Sequence, residues 1–130
     1  MKPLNIKNDV INPGFYYSPE TNVLTIYGHS VPENARRVYE PAIEWAKEYQ
    51  HPGKPFKVEL KVDYFNSSSF AQLVTLLEIL KEKTDFTVDF YYEDDDEDML
   101  IIADDIRIML DVEVNTFPVD EENFLDEWNI

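Results

Sequence analysis

A chain of 130 residues, 44% of them hydrophobic, is long enough for one packed domain and too apolar to be disordered throughout. It has no cysteine and two histidines, which excludes disulfides, thiolate metal sites and a cysteine nucleophile and leaves structural zinc without its usual ligands. The net charge of −16 repels phosphate backbones and anionic bilayers, so neither nucleic acid nor a membrane is an expected partner. The excess is local. Residues 1–92 carry 12 acids and 10 bases, whereas residues 93–130 carry 15 acids and Arg107 alone as a base. Residues 1–7 have no apolar leader and no stretch reaches membrane-spanning length, so the expected location is the cytoplasm.

Residues 3–13, rich in asparagine and proline, read as an irregular or edge segment. Phe15-Tyr16-Tyr17 and residues 23–27 are strands joined by a Ser18-Pro19 turn, and Gly28 is expected to end the second. His29 to Asn34 reads as the approach to a helix. Ala35, Val38, Tyr39, Ala42, Ala46 and Tyr49 then form one stripe at helical spacing, with a kink or a restart expected at Pro41. Residues 56–65 alternate as a strand, residues 70–80 form a deeply packed helix, and residues 86–92 are a strand. Six acids, residues 93–98, precede a third helix marked by Met99, Ile102, Ala103, Ile106 and Leu110, where the helix dipole favours them. A last strand spans 112–117 and an acidic tail about 118–130. The order β-β-α-β-α-β-α-β predicts a single α/β domain over residues 1–130, with crossover helices on a mixed sheet.

The junction Asn66-Ser67-Ser68-Ser69 between strand and helix carries the most chemistry. Asn and Ser side chains accept the unpaired N–H groups of a helix start, so one of the serines is expected to act as a cap. A hydroxyl here is also suited to phosphorylation, because a phosphate would meet free N–H groups and the positive end of the dipole. Pro32-Glu33-Asn34 is helix-start chemistry, or a pair of polar residues beside that junction.

The junction resembles that of the anti-sigma-factor antagonists of the STAS fold, which have Asp-Ser-Ser-Gly and a phosphorylated serine there; this chain has no glycine. It more closely resembles the SiaC family of bacterial regulatory phosphoproteins. Ser30-Val31-Pro32-Glu33-Asn34 is similar to that family's Ser-x-Pro-Glu-Asn motif, with Ile43-Glu44-Trp45 at the corresponding interval. Tyr64-Phe65-Asn66-Ser67-Ser68-Ser69 resembles Tyr-Leu-Asn-Thr/Ser-Ser-Ser, and Phe90-Tyr91-Tyr92 resembles Trp-Tyr-Tyr. The likeness covers residues 15–117. The departures are Ser67 in place of the commoner threonine, Pro41, and the acidic run 93–98.

The resemblance implies a STAS-like fold and a non-enzymatic, cofactor-free phosphoprotein of a partner-switching circuit. Ser67 would be the phosphoacceptor, or Ser68 by the STAS alignment. Glu33, Asn34, Asn66, Ser68 and Ser69 would contact partners. Those partners would be a serine/threonine kinase, a PP2C-type phosphatase and an effector such as a diguanylate cyclase, which links the circuit to cyclic di-GMP and biofilm formation.

Two rival readings come from the acids. Asp94, Asp96, Asp98 and Asp105 fall on positions 1, 3, 5 and 12 of a calcium-loop template, but position 6 is Met99 rather than glycine. A carboxylate-dependent hydrolase has no pair of acids singled out by spacing, and no nucleophile, phosphate-loop or dinucleotide motif is present.

Overall fold

The computed structural model describes residues 1–120 and 124. Its elements are β1 (Leu4–Ile6), β2 (Gly14–Ser18), β3 (Val23–Ser30), α1 (Ala35–Lys47), β4 (Phe56–Phe65), α2 (Ser67–Lys83), β5 (Phe86–Glu93), α3 (Glu97–Leu110) and β6 (Glu113–Val119). The six strands form one sheet in chain order. β1, β2 and β3 pair antiparallel, and β3 to β6 pair parallel. The mixed α/β architecture is the expected one, with an edge strand added at the start. Crossovers between parallel strands are right-handed almost without exception, so three that advance in one direction put α1, α2 and α3 on one face of the sheet, where α1 packs on α2 and α2 on α3.

That face carries the core. Val58, Leu60 and Val62 alternate inward along β4, and Leu73, Leu76, Leu77 and Leu80 of α2 are fully buried above the sheet. Each such leucine contributes roughly 1.5–3 kcal/mol on burial. On the other face a polar row crosses the sheet. Thr25 Oγ1 donates to Glu59 Oε1 (3.1 Å), Lys57 Nζ lies 3.2 Å from Asp89 Oδ2, and Asn115 Nδ2 donates to Asp89 Oδ1 (3.3 Å).

Four expectations about elements need correction. Gly28 does not end its strand. β3 continues to Ser30 through a register shift between Gly28 and Ser30, and Gly28 takes φ +97°, a conformation open to glycine and strained for other residues. His29 and Ser30 are therefore strand residues. α1 runs through Pro41 without a restart, because Pro41 and Arg37, whose carbonyl loses its partner, are both on the exposed side where water can serve it. α2 begins at Ser67, not at Phe70, because Asn66 supplies the cap. Pro118 belongs to β6 rather than to a tail. Of the tail beyond, Phe124 is buried, while Leu125 and Trp128 lie outside the described residues.

Candidate functional site

β3 and β4 are parallel neighbours, so the loops leaving their C-terminal ends meet. The Asn66 N–H donates to Ser30 O (3.0 Å), and Asn66 Nδ2 to Pro32 O (3.4 Å). These bonds bring the start of α2 beside the start of α1. Asn66 Oδ1 accepts from the Ser69 N–H (2.9 Å), and Asn34 caps α1 by accepting from the Arg37 N–H (3.2 Å). Glu33 and Asn34 are exposed next to this junction.

The three serines differ. Ser67, the first residue of α2, is exposed, and its hydroxyl makes no hydrogen bond among the described residues. Ser68 is also exposed, but its Oγ donates to Asn66 Oδ1 at a long 3.4 Å. Ser69 is fully buried, so its expected contact with a partner is closed off at the surface. Its Oγ instead bonds Ser30 Oγ and lies 3.0 Å from Tyr39 OH, while Tyr39 OH lies 2.9 Å from Ser30 Oγ. All three hydroxyls of this ring belong to residues with no exposed surface. Burial raises the Tyr39 phenol's pKa, partly offset by the bonds from Ser30 and Ser69.

The first turn of α2 contains no acidic side chain, so the dipole end is not neutralised from within the helix. Nearby, His29 Nδ1 and Asp63 Oδ1 are 2.7 Å apart. The Tyr64 ring, 53% exposed, lies 6.3 Å from that of His29. The Val31 N–H donates to Ile11 O (2.9 Å), which holds a loop with exposed Val10 and Ile11 against the exit of β3. Two backbone N–H groups, of Ile11 and Asn12, stabilise the Asp9 carboxylate in that loop and lower its pKa.

Sequence reasoning missed Tyr39, Tyr64 and the His29–Asp63 pair. Tyr39 sits on an apolar stripe, which signals core. His29 and Asp63 are distant in the chain, and only the parallel register joins them.

The acidic run resolves into helix-start chemistry: Asp96 caps α3 by accepting from the Met99 N–H (3.2 Å), and Glu97 and Asp98 occupy its first turn. Among the described residues, no three acidic or histidine side chains group so as to hold a metal ion. No helix among them is long and apolar enough to cross a membrane.

Residues 6–119 match the family described as SiaC family regulatory phosphoprotein. An uncharacterized protein of Pseudomonas aeruginosa strain UCBPP-PA14 is 26% identical over 83 residues, 63% of this chain and 66% of that protein, so the match spans just under two thirds of the relative. The fold is similar to that of apo-SiaC from Pseudomonas aeruginosa, with a TM-score of 0.74 at 21% identity over 89% of this chain and 98% of that one. It is also similar to a chain in the crystal structure of the diguanylate cyclase SiaD in complex with its activator SiaC from the same organism. There the TM-score is 0.77 at 21% identity, over 87% of this chain and 97% of that one.

Proposed function

Because the chain belongs to the SiaC family of regulatory phosphoproteins, we propose that it is a non-enzymatic, cytoplasmic switch whose phosphoacceptor is Ser67. Its partners in this reading are a serine/threonine kinase, a PP2C-type phosphatase and a diguanylate cyclase that it binds when Ser67 is unmodified. The observation that carries the choice is the contrast among the serines. Ser67 offers an exposed hydroxyl with no hydrogen bond among the described residues, Ser68 directs its own to the cap residue at 3.4 Å, and Ser69 is sealed in the core.

The chemistry is local. A phosphate on the first residue of α2 would lie at unpaired N–H groups and the positive dipole end, so the modified protein keeps its fold. It would also add ~1.5–2 negative charges to the centre of a surface formed by Glu33, Asn34, Tyr64, Ser67 and Ser68. An interface built on a neutral hydroxyl would have to desolvate that dianion without a partner for it, which is unfavourable. The SiaC–SiaD complex supports a diguanylate cyclase as the class of effector. The STAS likeness makes Ser68 the second choice.

Phosphopeptide mapping after incubation with the cognate kinase tests the assignment. Phosphate on Ser67, abolished by Ser67→Ala with effector binding retained, is the expected result. Phosphate on Ser68 would move the site, and none within residues 66–69 would overturn the reading.

A further inference from the structure

We propose that Tyr39 is the positioning residue of this switch: its hydroxyl, closed in a ring with those of Ser30 and Ser69, locks the start of α2 to α1 and to the end of β3, so that Glu33, Asn34, Ser67 and Ser68 form one surface. The inference rests on the reading of Ser67 as the switch position and adds how that position is held.

Three hydroxyls in mutual contact can each donate once and accept once, so the ring is satisfied without water. That matters because a buried hydroxyl without a partner is destabilising, and apolar side chains would fill the same space with no such demand. The ring joins three elements. Among the described residues, the Tyr39–Ser69 bond is also the only side-chain hydrogen bond linking α1 to α2. Ser69 is the third residue of α2, and its N–H is held by the cap residue Asn66. Fixing Ser69 from both its hydroxyl and its N–H therefore fixes the turn that displays Ser67. Tyr39 itself is fully buried, and among the described residues its hydroxyl bonds Ser30 and Ser69 and neither exposed serine, so it acts through Ser69.

The test compares Tyr39→Phe with Tyr17→Phe. Tyr17 is equally buried, and its hydroxyl donates to Asn22 Oδ1 (2.6 Å) just before the opposite end of β3. Each variant removes one buried hydroxyl and keeps the aromatic side chain. Amide hydrogen exchange at residues 67–70, the affinity for the diguanylate cyclase and the initial rate of phosphorylation are measured on the full chain. Tyr39→Phe is expected to speed exchange at residues 67–70 about tenfold and to weaken the complex and slow phosphorylation by about fivefold or more, with Tyr17→Phe at the wild-type values. Equal effects in both variants, or no effect in Tyr39→Phe, would overturn the proposal. Raised exchange with unchanged affinity and phosphorylation would do the same, by reducing the ring to a structural bond. Ser69→Ala cuts the link from the α2 side and must reproduce the result, which covers the case that Tyr39→Phe fails to fold. If the wild-type chain neither binds the cyclase nor is phosphorylated, the Ser67 reading fails, and the exchange data alone then accept or reject the ring as the lock on α2.

Discussion

Asn66 does more than any other single residue to shape the candidate site. Its side chain caps α2 through the Ser69 N–H and reaches Pro32 O, while its backbone N–H ties the junction to Ser30. Asn66→Ala should lower stability by about 0.5–2 kcal/mol, read from urea unfolding, and Asn66→Asp should recover only part of that loss, because aspartate accepts from the Ser69 N–H but cannot donate to Pro32 O. Ser67 is not the cap, so Ser67→Ala should change stability by no more than about 0.5 kcal/mol. The sequence placed the capping and switching chemistry within four residues but could not divide it among them. That division depends on which hydroxyls face the core, and burial of Ser69 follows from where Ser30 and Tyr39 lie, 39 and 30 residues earlier.

The elements were legible wherever period alone decides, as in the alternation of β4 and the apolar faces of α2 and α3. Expectation and structure differ where a single glycine or proline interrupts the pattern. Gly28 looked terminal because glycine punctuates strands, yet here the register shifts just after it and β3 goes on to deliver Ser30 to the hydroxyl ring. A Cβ at Gly28 would lie 2.8 Å from Asn8 Nδ2, and the φ of +97° would be strained. Gly28→Ala should therefore destabilise the protein by more than about 1 kcal/mol and loosen the start of α2, visible as a lower urea midpoint and faster amide exchange at residues 67–70. Pro41 looked like a break because proline removes an N–H, but the loss falls on a wet face of α1 and the helix survives it.

At the scale of the whole molecule, charge and buried phenols set the response to conditions. The excess of acids makes the compact state repel itself, so raising sodium chloride from 0.05 to 0.5 M, on the order of the range over which screening tightens, should raise the urea midpoint at pH 7. Burial pushes the Tyr17 pKa up to about 12, and those of Tyr27, Tyr39 and Tyr49 are also raised. An unfolded phenol ionises near ~10, so above that pH the unfolded chain holds fewer protons than the folded one, and stability must fall as pH rises. Unfolding measured from pH 9 to 11.5 should show this decline, with Tyr17 alone contributing about 2 kcal/mol, and Tyr17→Phe should flatten it. The central claim is that one hydroxyl at the start of α2 decides whether an effector is bound. Its most direct test is titration of the diguanylate cyclase with the unmodified chain and with the chain phosphorylated at Ser67. The account predicts that the phosphate weakens the complex at least about tenfold, by ~1.4 kcal/mol or more; equal affinity of the two forms would contradict it.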